Sequence, residues 1–228
     1  MTKNKGYSVL LLLRKNDEFC IKFLKFISLN SKQIKVFWLN NPDKKILINK
    51  KYDFIISYRS PIILKSKEIS MAKISAINLH PGSPKYRGIG CLNYALYNNE
   101  KKYGFTIHLI NKKIDYGKIL FVKYFNIKRN STVRTLLQET HKQCIRYSKS
   151  FFKSILSDAS KIESYKKKFQ KEKWSKIIKN RSDLDKFYQI KNFDLENVNR
   201  KIRATNYGHY KPFIQIGTNK FFLKKNEK

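Results

Sequence analysis

Asn78 and His80 stand two residues apart in INLHPGSPKYRGIGC, residues 77–91, where a short apolar run ends at a proline. Side chains alternate along a strand, so the amide and the imidazole point to one side and Leu79 to the other. A carboxamide N–H held on a strand end is a fixed donor, and an imidazole with an ordinary pKa near 6.5 can donate or move a proton. The loop that follows carries Pro81 and Pro84, three glycines, and the cations Lys85 and Arg87 around Tyr86. Open α/β sheets present ligands at the carboxyl ends of their strands, which is where this pair and this loop would fall. Taken singly, an Asn before a proline is a turn former and a lone His a structural residue. The pair gains meaning only from its surroundings.

The elements that must hold it alternate in type. Strands are expected over 7–13, 34–39, 52–58 and 74–80, with helices over 17–29 and 65–71 between them. Continuously apolar runs such as VLLLL and FIIS argue for an α/β fold with a Rossmann-like, mostly parallel sheet covered on both faces. A helix over 91–101 leads to two strands, GFTIHLI and KILFVKYF, expected as an antiparallel pair about the turn NKKIDYGK. Ser131 is expected to cap a long helix over 131–157 with an apolar stripe, closing a catalytic domain of residues 1–158. Residues 159–192, with KKKFQKEKW, suggest an extended basic linker over the surface. The segment 193–228 holds a helix, ENVNRKIRAT, and a hairpin, PFIQIGTNKFFL, turning at 217–219.

The chain has 228 residues, with 50 Lys and Arg against 16 Asp and Glu, a formal net charge of +34. Such an excess suits a polyanion: nucleic acid, a nucleotide or an anionic membrane surface. A coding bias toward A and T, which also enriches Asn and Ile, produces the same excess. Cys20, Cys91 and Cys144 show no CxxC spacing, so neither a disulfide framework nor a zinc site is indicated and no metal is called for. The apolar run of Val9 to Leu13 is too short for a signal sequence or a membrane span, which leads to the expectation of a cytoplasmic protein without a membrane partner. No GxGxxG follows the first strand, and neither a P-loop nor HExxH occurs.

In order along the chain, NLHPGSPKYRG, YGFTIH and IDYGKI resemble the 10-formyltetrahydrofolate-dependent formyltransferase family, whose members share an Asn-x-His-Pro strand end and a later Asp-x-Gly turn. The resemblance implies a catalytic set of Asn78, His80 and Asp115, with 10-formyltetrahydrofolate as formyl donor. In that set an amine attacks the formyl carbon, Asn78 meets the charge developing on oxygen, His80 shuttles the proton, and Asp115 orients the ring and holds the amine. The stretch YDFIISYRSPIIL resembles the strand and loop that line the family's folate pocket, which implies Ser57, Tyr58, Arg59, Ser60, Pro61 and Ile62 as folate-binding residues. Two departures stand out: Tyr116 sits where Thr is frequent in the Asp-x-Gly turn, and Arg59 interrupts an apolar stretch.

GIGCLNYALYNNEKKYG and RATNYGHYKPFI are most similar to the sugar N-formyltransferase branch, which implies a nucleotide-linked amino-dideoxy sugar as acceptor. Lys85, Tyr86 and Arg87 are then placed to meet a phosphate or a sugar hydroxyl, and Trp174, Tyr207 or Tyr210 to stack on the base. Arg200 and Arg203 suit docking of the tail as well as phosphate, while His108, His141 and His209 are expected to be structural. The apolar hairpin suggests a homodimer. Two rivals to a nucleotide-sugar enzyme remain: a methionyl-tRNA formyltransferase acting on initiator tRNA, and a non-enzymatic basic RNA-binding protein. Both make nucleic acid the partner, against the sugar reading.

Overall fold

Leu10, Leu11, Leu12 and Leu13 are all fully buried, as a strand with both faces covered requires. In the computed structural model, which describes residues 6–43 and 45–223, this run lies at the centre of the molecule. The outermost parts of the expected segments, residues 1–5 and 224–228, lie outside the described residues, as does residue 44.

The chain runs through β1 (Ser8–Arg14), α1 (Glu18–Ser28), β2 (Gln33–Leu39), β3 (Tyr52–Tyr58), α2 (Ser66–Ile69), β4 (Ala72–His80), the two-residue β5 (Arg87–Gly88) and α3 (Cys91–Tyr97). It continues through β6 (Lys102–Leu109), β7 (Ile119–Asn126), α4 (Val133–Ser157), α5 (Lys161–Lys168), the two-residue β8 (Ile178–Lys179), α6 (Arg181–Phe187), α7 (Leu195–Thr205), β9 (Phe213–Ile216) and β10 (Asn219–Phe222). Six strands form the main sheet in the order β2-β1-β3-β4-β6-β7. The first four are parallel, and β6 and β7 are added antiparallel. The chain leaves β1 for one side and later returns to its other side, so the carboxyl ends of β1 and β3 border the crevice where such sheets take ligands.

Alternation along β1 divides the core. Val9, Leu11 and Leu13 face α1 and α4, packing with Phe23, Ile27, Phe151 and Phe152. Leu10 and Leu12 face the other way, with Ile55 and Leu64. A third cluster joins α3, the start of α4 and α7 through Leu96, Leu136 and Ala204. Arg200 and Arg203 belong to this docking: Arg200 donates twice to the Tyr97 carbonyl, at 3.0 and 2.6 Å, and Arg203 Nε donates to the Ser131 carbonyl at 3.0 Å.

Two expectations are corrected. The cap of α4 is Thr132, whose hydroxyl accepts from Thr135 N while Thr135 Oγ1 accepts from Thr132 N. Ser131 precedes it and is buried. Residues 159–192 are no extended linker, since α5, β8 and α6 form there and Ile162, Leu184, Tyr188 and Ile190 are buried. Lysines are nearly as numerous as apolar residues in this stretch, but one or two apolar residues per turn suffice to anchor a short helix whose other faces are solvated.

The hairpin forms as expected, with Phe213 buried against Leu184 and Tyr188. Ile216, Phe221 and Phe222 on it stay more than half exposed, at 66%, 55% and 59%. The three cysteines are free and buried. Among the described residues no helix is long and apolar enough to cross a membrane, and no group of three His, Cys, Asp or Glu side chains is arranged to hold a metal ion.

Candidate active site

Strand register sets three polar side chains in a row across the sheet: Ser57 of β3 pairs with Asn78 of β4, and Asn78 pairs with His108 of β6. Residues paired in register share a face, so all three point into one cavity of about 460 Å³. His80, two residues beyond Asn78, points to the same side. Asn78 Nδ2 lies 3.2 Å from His108 Nε2, and His108 Nδ1 is 2.8 Å from the Leu109 carbonyl. A carbonyl can only accept, so His108 carries its proton on Nδ1 and takes one Asn78 amide N–H on Nε2. The second amide N–H of Asn78 is left for the cavity.

Asp115 reaches the same place from the turn after β6. It adopts a positive φ of 44°, a left-handed conformation uncommon for a residue with a side chain. Gly117 makes the turn possible, because a Cβ there would lie 1.6 Å from the Leu109 carbonyl oxygen. The carboxylate stands between two imidazoles: Oδ2 is 3.4 Å from His80 Nδ1 and Oδ1 is 3.5 Å from His108 Nε2. Gly88 N–H donates to Oδ2 at 3.0 Å. Burial works to raise the Asp115 pKa, but His80 and the Gly88 N–H work against it, and the carboxyl is held well below the ordinary range. Burial pushes His80 below its usual value, with Asp115 pulling against it. His80 Nε2 donates to the Tyr86 carbonyl at 3.1 Å. A proton taken on Nδ1 would meet Asp115, so both ring nitrogens have acceptors in the cationic form.

Arg87 holds this arrangement together. Its Nε donates to the Asp115 carbonyl at 2.7 Å, Nη2 to Ile114 at 2.8 Å and Nη1 to Ser175 at 3.0 Å. The guanidinium is buried and packs 4.6 Å from the centroid of the Tyr116 ring. Trp174 covers the other side, its ring 5.0 Å from that of His108 and 5.8 Å from that of His80, with the indole N–H on the Gly117 carbonyl at 2.7 Å.

The far wall comes from the carboxyl ends of β1 and β3. Arg59 has a φ of 55°, pairs through Nε with Asp17 at 2.9 Å and hydrogen bonds through Nη1 to His141 Nε2. Because arginine only donates, His141 holds its proton on Nδ1 and gives it to the Tyr58 hydroxyl at 2.9 Å. Burial, with Arg59 and Arg14 adding repulsion, pushes His141 down to about 2. Apolar side chains of Ile62, Leu64, Ile110 and Leu137 complete the cavity.

The expected residues are thus sorted by the fold. Asn78, His80 and Asp115 converge, and Ser57, Arg59, Ser60, Pro61 and Ile62 line the same cavity. Tyr58 does not: strand alternation turns it into the core, where it is fully buried behind His141. Lys85, Tyr86 and Arg87 border a separate cavity of about 220 Å³. Arg87, expected as a ligand cation, has Nε, Nη1 and Nη2 each donating to a backbone carbonyl, so it also fastens the turn. Lys85 Nζ sits 2.5 Å from Glu100, whose Oε1 also accepts from the Tyr86 hydroxyl at 2.7 Å. Of the stacking candidates, Trp174 packs on the two histidines, and Tyr210 stacks on Tyr188. His108 and His141, expected to be structural, both line the main cavity. Alternation from Thr106 to His108 was the available signal, but only the β4–β6 register tells which strand His108 faces.

Comparison with known proteins agrees with this geometry. Residues 44–147 match the formyl transferase family. That stretch, somewhat under half of the chain, carries the likeness to a formyl transferase domain. Over 144 residues, 59% of the chain, it is 33% identical to the bifunctional polymyxin resistance protein ArnA of Wigglesworthia glossinidia brevipalpis, and over 88 residues 36% identical to the methionyl-tRNA formyltransferase of the same organism. The chain spans 22% and 28% of the lengths of these two relatives. The fold is that of a sugar N-formyltransferase from Shewanella, with a TM-score of 0.72 at 19% identity, covering 97% of this chain and 98% of that one. An N-formyltransferase from Helicobacter canadensis, solved with folinic acid and dTDP-3-aminofucose, superposes with a TM-score of 0.66 at 22% identity, over 93% of this chain and 85% of that one.

Proposed function

We propose that the protein transfers the formyl group of 10-formyltetrahydrofolate to the amine of a nucleotide-linked amino-dideoxy sugar, such as dTDP-4-amino-4,6-dideoxyglucose, for a surface polysaccharide. The observation that carries this reading is the convergence of Asn78, His80 and Asp115 on one cavity whose opposite wall is the 57–62 stretch. The cavity fits the donor: an apolar wall of Ile62, Leu64, Ile110 and Leu137 suits a flat ring, and the polar row lies beside it. When bound, the donor supplies an activated formyl group. The free Asn78 amide N–H is positioned to stabilise negative charge on an acyl oxygen. The Asp115–His80 pair would take the proton released by the attacking amine and give it up to the departing folate nitrogen, Asp115 steadying the imidazolium through Nδ1. Trp174 and the Arg87 clamp exclude water and fix the carboxylate.

The ligands of the Helicobacter canadensis structure support both substrates, and the full-length overlap with the Shewanella enzyme supports the sugar branch. The same reading makes the protein a cytoplasmic homodimer joined through β9 and β10. Incubation with 10-formyltetrahydrofolate and a panel of nucleotide-linked amino sugars should add one formyl group, by mass, to one of them. The methionyl-tRNA relative and the net charge of +34 favour the second reading. Formylation of charged initiator tRNA with silence on every amino sugar would select it instead.

A further inference from the structure

Apart from the catalytic cavity, α3, α6 and α7 enclose another of about 350 Å³. Its floor is aromatic: the Tyr94 and Phe187 rings lie 4.6 Å apart, and Tyr97 stands edge-on to Phe187 at 5.2 Å. Lys179, Lys186, Lys191 and Lys201 line it against one carboxylate, Asp183, which already accepts the Asn180 N–H at 2.8 Å. Among the described residues no carboxylate lies within ion-pair distance of any of these lysines.

Lys201 makes the imbalance plain. It is 7% exposed, its Nζ donating to the Phe187 carbonyl at 2.8 Å and lying 3.7 Å from the Phe187 centroid and 4.3 Å from that of Tyr97. Burial, reinforced by Arg200 and Lys191, pushes it down to about 8. A buried ammonium whose neighbours are ring faces and other cations lacks its counter-charge.

We propose that this cavity binds a nucleoside diphosphate, with the base on the aromatic floor and the diphosphate among the lysines. The volume falls within the range of about 300 to 1,000 Å³ usual for small-molecule sites. Rings that accept a flat base, beside mobile point charges that follow a diphosphate, are the chemistry such a ligand needs. The placement couples it to catalysis. Lys179 lies in β8, which pairs with β5, and Gly88 of β5 donates to Asp115. The smaller cavity beside Cys91 shares Tyr94 and Lys179 with this one, and Cys91 Sγ is 3.8 Å from His80 Nε2. The proposal deepens the sugar reading and rests on it only for the source of the nucleotide.

Calorimetric titration of the full chain with dTDP, UDP and GDP, without folate or amino sugar, tests it. At least one should bind about tenfold or more tighter than inorganic pyrophosphate or the bare nucleoside, a factor set by joining both halves. Lys186→Glu with Lys191→Glu, both exposed positions, should weaken that binding by about tenfold or more, and Tyr94→Leu should weaken the nucleotide while sparing pyrophosphate. No binding of any nucleotide, pyrophosphate as tight as the best of them, or an unchanged affinity in the double variant would overturn the proposal. If the nucleotide comes as part of the acceptor, the double variant raises KM for the amino sugar with kcat unchanged; a free effector leaves that KM alone. Nucleotide binding at these residues with no amino sugar formylated would sink the proposed activity and leave the cavity standing.

Discussion

At the scale of single residues, one carboxylate stands between two imidazoles with an amide beside it, and in the proposed reaction Asn78, His80 and Asp115 form the working set. Asn78→Ala, His80→Ala and Asp115→Ala should each lower turnover by about 100-fold or more with unchanged circular dichroism, since each group acts as charge and protons move. Near-normal turnover in any one variant would remove that residue from the set. His141 bears on stability. Its folded pKa, about 2, lies below the ordinary 6.5, so below pH 6.5 the unfolded chain binds a proton that the folded one refuses. Stability is therefore undiminished above pH 6.5 and falls as the pH drops from there toward 2, by up to roughly 1.4 kcal/mol per pH unit from this group. Thermal melts between pH 7 and 5 should show a steeper decline for the native protein than for His141→Gln; equal slopes would contradict the buried neutral imidazole.

At the scale of elements, the loops matter more than the strands. The 111–117 turn carries Asp115 in a left-handed conformation and is fastened by Arg87, a single side chain reaching Ile114, Asp115 and Ser175. Lysine keeps the charge but lacks the fork, so Arg87→Lys leaves carbonyls unsatisfied at about 1 to 3 kcal/mol. Hydrogen exchange should speed up across 111–117 and kcat should fall, with the strands β1 and β3 as protected as before. Protection retained in the turn would mean that Arg87 is dispensable as a clamp. Gly82 contributes similarly, since a Cβ there would come within 2.3 Å of His80 Nε2 and push the imidazole aside.

At the scale of the whole molecule, the hairpin and the charge make opposite demands on solubility. Ile216, Phe221 and Phe222 leave apolar surface exposed on a two-stranded element that is marginal by itself. Light scattering should find a homodimer, and Phe221→Lys with Phe222→Lys should give a folded monomer; a native protein that stays monomeric when concentrated would refute the dimer. The charge separates the acceptors. A small acceptor meets few lysines, so activity should decline only mildly between about 50 and 200 mM salt, whereas about 6 to 10 phosphate contacts to a tRNA would cost three to five decades of affinity. A steep loss for the amino sugar reaction would argue that the excess of lysine serves a polyanion.

Strand identity was legible because buried strands are made of uninterrupted apolar residues: VLLLL and FIIS could be little else, and β3 spans the expected 52–58. The Asn-x-His pair and the Asp-x-Gly turn were legible too, since alternation and turn chemistry act between near neighbours. What local order could not supply was register. That His108 stands beside Asn78, and that Tyr58 leaves the cavity its neighbours line, depend on which strand pairs with which. Arg87 looked like a free cation because its carbonyl partners are 27, 28 and 88 residues away. The same holds for the basic 159–192 stretch, whose few apolar side chains become anchors only against a surface built from the rest of the chain. Short-range sterics and periodicity write themselves into sequence, while partners drawn from distant segments are chosen only when the chain packs.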